Sequence, residues 1–154
     1  MTALDVFRRC AAADREIDQI REKIERREAL MTGRTARPLS PDGGGRGSGD
    51  ASMRLVDYVA NIEELRAKLK EREKQKASDV MCCLYLADSL EPRFSEVMKK
   101  AYLDHKGLKL IGEEMRYSVS QVKRLKAQAE DMCRSMEITY WDGVHVPLTA
   151  IRRK

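Results

Sequence analysis

Apolar residues recur near the start of the chain at alternating steps of three and four: Ala3, Val6, Cys10, Ala13, Ile17, Ile20, Ile24 and Met31, with Arg27 the one interruption. That spacing keeps them on one stripe of an α-helix, and the Arg, Glu, Asp and Lys between them suit its solvated faces. Thr2 and Asp5 stand where a hydroxyl and a carboxylate can satisfy the free amides of a helix start. The pattern predicts a long amphipathic helix over 1–32, about 45 Å in length at ~1.5 Å per residue. Five glycines, two prolines and three serines then crowd residues 38–52. Such a composition has little to bury, so 33–51 is predicted to be a flexible Gly/Pro/Ser-rich linker.

Leu55, Val59, Ile62, Leu65 and Leu69 resume the helical period, which predicts a second coiled-coil helix over 52–78, its stripe lapsing in the solvated "KEREKQKASD". A coil of the linker's length spans roughly 24 Å, more than the ~10 Å between packed helices, and does not force a hairpin. An antiparallel pair within one chain is the first expectation. A homodimer through the N-terminal helices, with four helices in one bundle, is the alternative.

From residue 79 the pattern thickens. "VMCCLYLADSL" is apolar enough to be buried on more than one face. Pro92 suits a first helical turn, Phe94, Val97, Met98, Ala101 and Tyr102 follow at helical spacing, and Gly107 is placed to end that helix. Leu108, Ile111 and Met115 define one short helix, and Val119, Val122, Leu125 and Ala129 the next, with only "RYS" between them. That is helix-turn-helix length. Ser118 and Gln121 have capping-box spacing at the second helix, 119–136. The tail changes period to two, with Asp142-Gly143 as turn, so 137–154 is predicted to be a β-hairpin with a basic end. Trp141 is expected to pack on the bundle or a partner, and Arg152, Arg153 and Lys154 to be able to reach phosphate. The fold class is therefore all-α: an N-terminal coiled-coil helix pair, a small helical bundle with a helix-turn-helix over 79–136, and a short C-terminal β-hairpin.

Composition sharpens this. Charged residues make up 36% of the chain and aromatics 5%, which favours long solvated helices over a thick core. The net charge of +5 permits nucleic acid as a partner without establishing it. The excess is local: Arg116, Lys123, Arg124, Lys126 and Arg134 face only Glu130 and Asp131 between residues 116 and 134. The adjacent Cys82 and Cys83 cannot clamp a metal as a CxxC pair does, and His105 and His145 lie far from them, so all four cysteines are read as small buried residues and no metal or cofactor is expected. No nucleophile, base and orienting group converge and no phosphate loop is present, so no catalytic residue is assigned and the protein is not read as an enzyme. No stretch approaches the roughly 20 apolar residues that span a bilayer, so a cytoplasmic protein with no membrane partner is expected.

The face of the helix after the turn presents Ser118, Ser120, Gln121, Lys123, Arg124, Lys126 and Gln128. Arg and Lys can meet guanine edges or phosphates, Gln can pair with adenine, and Ser can serve either. A helix lying in the major groove must be basic outside and apolar behind, whereas the helix before it need not be, which accounts for Glu113 and Glu114 preceding the basic run. "GLKLIGEEMRYSVSQVKRLKAQA" (107–129) resembles the fourth conserved region of bacterial primary sigma factors, and "SLEPRFSEVMKKAYLDH" before it is similar to the helix that precedes that region's helix-turn-helix. That family often has glycine in the turn where this chain has Arg116, so the turn is expected without glycine's easy positive φ. Without an aromatic-rich segment to capture unstacked bases, promoter opening by this chain alone is not expected. The chain thus resembles the small sigma-like regulators of bacteriophages and prophages, of the RinA and ArpU type. The resemblance implies a sequence-specific double-stranded DNA-binding regulator of transcription, with RNA polymerase as a second partner. A structural or adaptor protein whose coiled coil docks polymerase or phage packaging proteins is the other reading.

Overall fold

The computed structural model describes residues 1–35, 48–141 and 144–147, with side chains described over 1–32 and 53–139. The protein is predominantly helical: α1 (Ala3–Thr35), α2 (Ser48–Asp88), α3 (Pro92–Met98) continued by a π-helical turn over Lys99–Leu103, α4 (Leu108–Met115) and α5 (Val119–Arg134). Two four-residue strands follow, β1 (Ile138–Trp141) and β2 (Val144–Pro147), antiparallel with Ile138 opposite Pro147 and Trp141 opposite Val144. The Asp142-Gly143 turn, the Trp141 side chain and Arg152, Arg153 and Lys154 lie outside what is described, as does most of the predicted linker.

Two compact units divide the chain, one of residues 1–14 with 74–154 and one of residues 15–73. In the second, Ile17, Ile24 and Ile62 are buried, while Ile20 and Leu65 are half-buried. Ion pairs between the helices join Glu16 to Arg72 and Arg21 to Glu73 toward one end and Glu28 to Arg66 toward the other, so α1 and α2 run antiparallel here. The alternation of Arg and Glu across the seam explains why the charges on these helices nearly cancel. Leu55, Val56 and Val59 remain exposed.

The first unit holds the main core. Leu4, Val6, Phe7 and Cys10 from α1 meet Cys82, Cys83 and Leu86 from α2, Phe94 and Met98 from α3, Ala129 and Cys133 from α5, and Ile138. Leu4 and Phe7 lie outside the three-four stripe yet are among the most deeply buried residues, because this end of α1 is covered on two sides. Its start is fixed locally: the Thr2 amide donates to Asp5 at 2.9 Å and the Asp5 amide to the Thr2 hydroxyl at 3.3 Å. It is also tied at a distance, since the Ala3 amide donates to the Met136 carbonyl and the Ile138 amide to the Met1 carbonyl, each at 2.9 Å. Asp79 is fully buried beside Arg9, 3.3 Å away.

Several expectations are corrected. The break expected at 78/79 is absent: α2 crosses it as one helix of 41 residues, since nothing between Asp50 and Glu91 is glycine or proline and the charged "KEREKQKASD" is itself a good helix former. "VMCCLYLADSL" is buried on one face rather than several, with Met81, Leu84 and Tyr85 exposed. Gly107 does not end the helix before it. His105 takes the left-handed φ of 54°, and Gly107 is the extended residue that starts α4.

Candidate nucleic-acid interface

α4 and α5 pack through a small core of their own, in which Val97, Ile111 and Val122 are fully buried and Ala101, Leu108, Met115 and Leu125 close around them. The connection between them is short and tightly bonded. Arg116 adopts φ 57°, ψ 40°, and the amides of Arg116 and Tyr117 both donate to the Gly112 carbonyl, the second at 2.9 Å. The chain thus makes the left-handed turn with arginine, at a cost of roughly 1–2 kcal/mol that glycine would not incur. Gly112 carries the other half of the geometry. A Cβ there would lie 2.7 Å from the Tyr117 carbonyl oxygen.

The capping box forms as its spacing predicts: the Gln121 amide donates to the Ser118 hydroxyl at 3.2 Å and the Ser118 amide to Gln121 Oε1 at 2.9 Å. This fixes where α5 begins and also restricts its chemistry. Bidentate pairing with adenine needs both the carbonyl and the amide of a glutamine. With one lone pair of Oε1 taken by the cap, Gln121 offers a partner its NH₂ and its second lone pair only in the orientation that the cap fixes. Ser118 likewise is a cap first.

Behind α5, Val122, Ala129 and Cys133 are buried and Leu125 is half-buried. In front, Ser120, Gln121, Lys123, Arg124 and Gln128 are exposed. Val119, expected on the apolar side, is 47% exposed, whereas Val122 in the same turn is fully buried. Lys126 belongs to the flank: its ammonium lies 3.6 Å from Glu130 and 5.3 Å from the centre of the Tyr102 ring. The Tyr102 hydroxyl donates to Glu130 at 2.7 Å, and burial together with that carboxylate pushes the phenol up to about 12. Lys126 is therefore held within the fold, unlike Lys123 and Arg124, which make no hydrogen bond or ion pair among the described residues.

Glu114, one of the two acids before the turn, is also accounted for. Glu114 accepts from Lys100 and, at 2.8 Å, from Lys106, and these two ammonium groups hold its carboxyl below the usual range. Glu114 thus neutralises two lysines of the preceding segment.

A cleft of about 360 Å³ opens beside the exposed face of α5, lined by Arg93, Tyr117, Gln121, Arg124, Leu125 and Gln128. Sequence reasoning missed Arg93 and Tyr117. Arg93 lies on α3, 31 positions before Arg124, and no periodicity links the two. All four cysteines are buried and free, and burial raises the Cys82 and Cys133 thiols to about 11. No group of three His, Cys, Asp or Glu among the described residues could hold a metal ion. No helix among them is long and apolar enough to cross a membrane.

Comparison with protein-family models, with curated proteins and with solved structures finds no match to this chain.

Proposed function

We propose that this chain is a sequence-specific double-stranded DNA-binding regulator of transcription in which α4 and α5 form a helix-turn-helix and α5 enters the major groove. One observation carries the reading: α5 has a buried back, a capped start and an exposed front on which Ser120, Lys123, Arg124 and Gln128 stand. A reading helix needs this combination, since base edges are distinguished only by donors and acceptors held in a fixed place. The resemblance to the fourth region of sigma factors supports the same assignment and adds RNA polymerase as a partner and a phage-type role. Within the site, Lys123, Arg124, Ser120 and Gln128 are the base- or phosphate-contacting candidates, Ser118 and Gln121 set the helix start, and Lys126 supports it. A second copy would pair through Leu55, Val56 and Val59, presenting two reading heads to half-sites a helical turn or a multiple apart.

Selection from random duplexes at physiological salt tests this, with Lys123→Ala/Arg124→Ala as the control because that double variant leaves the capping box intact. A motif enriched by the wild type and lost by the variant is expected. Retention that merely falls with salt and enriches nothing refutes it.

The adaptor reading draws on a different surface. Met81, Leu84 and Tyr85, at i, i+3 and i+4 on α2, are 66%, 36% and 49% exposed, an apolar strip of the kind that docks a partner helix. A Leu84→Asp/Tyr85→Asp variant that keeps duplex selection but loses its effect on transcription separates docking from reading.

A further inference from the structure

Each polar side chain among the described residues that line the cleft beside α5 can donate a hydrogen bond. Arg93 and Arg124 contribute guanidinium groups, Gln121 and Gln128 amides and Tyr117 a phenol, while Leu125 forms an apolar part, and none of these described lining residues is a carboxylate. The Gln121 NH₂ is oriented as a donor because its carbonyl oxygen accepts from the Ser118 amide. Arg93 is oriented before any ligand arrives. Its guanidinium carbon lies 4.8 Å from the centre of the Phe94 ring, and its Nε donates to Glu91 at 3.1 Å. Phe94 is itself a core residue, 3% exposed, so the ring under the guanidinium is immobile. A guanidinium stacked on a fixed ring loses less freedom when it binds than a free arginine does.

Glu91 answers Arg93 through Nε alone, and the Arg124 guanidinium has no ion pair among the described residues, so the cleft keeps an excess of positive charge and of donors that suits a group accepting hydrogen bonds on several sides. Resting on the DNA-binding reading above, we propose that this cleft seats one backbone phosphate of the duplex, gripped between Arg93 of α3 and Arg124 of α5. Arg93 is then a positioning residue. It makes no base contact, but by fixing where one strand crosses α3 it sets the angle at which α5 meets the groove and thereby which bases Ser120 and Lys123 reach.

The test is the salt dependence of binding to the selected duplex and to a random duplex, for wild type, Arg93→Ala and Arg93→Lys. Arg93 is 55% exposed at its side chain, and unchanged far-UV circular dichroism will show that both variants fold. Each phosphate contact releases about 0.9 counterions from B-DNA. Arg93→Ala is therefore expected to flatten the log–log slope by about 0.9 on both duplexes and to weaken binding about three- to tenfold at physiological salt, with the enriched motif kept. Arg93→Lys should restore most of the slope, since it keeps the charge, but less of the affinity, since it loses the planar fork.

An unaltered slope in Arg93→Ala, with wild type still selecting its motif, overturns the cleft assignment alone. If wild type shows no duplex binding, both this inference and the reading beneath it fall. Adding millimolar inorganic phosphate at constant ionic strength is expected to leave the wild-type slope unchanged. If it abolishes the difference between wild type and Arg93→Ala, the cleft is a free-phosphate site and the backbone assignment is wrong.

Discussion

Gly112→Ala is the most informative single perturbation of the α4–α5 connection. Position 112 lies inside α4, where alanine is favoured over glycine by about 1 kcal/mol on helix propensity alone. The tertiary structure opposes this. The added Cβ would stand 2.7 Å from the Tyr117 carbonyl oxygen, where ordinary contact begins near 3.4 Å, and 3.6 Å from Val122 Cγ2. The oxygen cannot simply retreat, because the Tyr117 amide is bonded to the Gly112 carbonyl at 2.9 Å and the next residue, Ser118, is locked into the capping box of α5. Relief requires the turn and the first residues of α5 to shift together, at an overpacking cost of roughly 1–3 kcal/mol. The net expectation is destabilisation by about 1 kcal/mol, opposite in sign to the propensity effect.

Gly107 supplies the control. It adopts φ −73°, ψ 158°, and nothing lies within 4 Å of where its Cβ would be. Alanine there forfeits a little as N-cap and gains a little through the unfolded chain, so it should stay within about 0.5 kcal/mol of wild type. Urea unfolding followed by far-UV circular dichroism measures both, the denaturation midpoint falling for Gly112→Ala and holding for Gly107→Ala. A Gly112→Ala protein more stable than wild type would mean that α5 does not fold back on α4 at this glycine, and the proposed reading head would lose its geometric basis.

Three further outcomes follow from the same structure. Arg116→Gly should stabilise by about 0.5–1 kcal/mol, the left-handed strain of arginine exceeding the extra unfolded-state freedom of glycine, and a lower urea midpoint would contradict the turn conformation. Phe7→Ala, at a fully buried position, should cost about 3–5 kcal/mol and loosen the unit that carries α4 and α5, although the two lie a hundred residues away; unchanged stability would place the N-terminal segment outside that core. Acid should destabilise the fold. Thr2 holds Asp5, Lys76 and His105 hold Asp14, and Lys100 and Lys106 hold Glu114 below their ordinary values of 3.8 and 4.5. Depressed folded values mean that this stability is present above the ordinary range and is lost as pH falls through and below it. The urea midpoint should therefore be lower at pH 3 than at pH 6, modestly because these pairs are solvent-screened, and an equal or higher midpoint at pH 3 would refute the pairing.

Local rules were legible wherever a residue's partners are its own neighbours. The helical period of Val6, Cys10, Ala13, Ile17 and Ile24, the Thr2–Asp5 start and the Ser118–Gln121 box each involve residues within a turn or two, so spacing alone indicates them. Local rules failed where a boundary depended on absent breakers, as at 78/79, or where the left-handed residue was neither glycine nor asparagine, as at His105 and Arg116. The rest was decided by packing between distant segments. That the first fourteen residues join 74–154 is set by Leu4, Val6, Phe7 and Cys10 finding apolar surface on α2, α3 and α5, and by amides of residues 3 and 138 bonding carbonyls of residues 136 and 1. Arg93 meets Arg124 in one cleft because Val97 on α3 and Val122 on α5 bury each other. The sequence determined that these segments are helical and, along most of their length, which face is wet. Only the tertiary structure decided which wet residues stand together, because burial of apolar surface is indifferent to chain separation while periodicity reports nothing beyond its own helix.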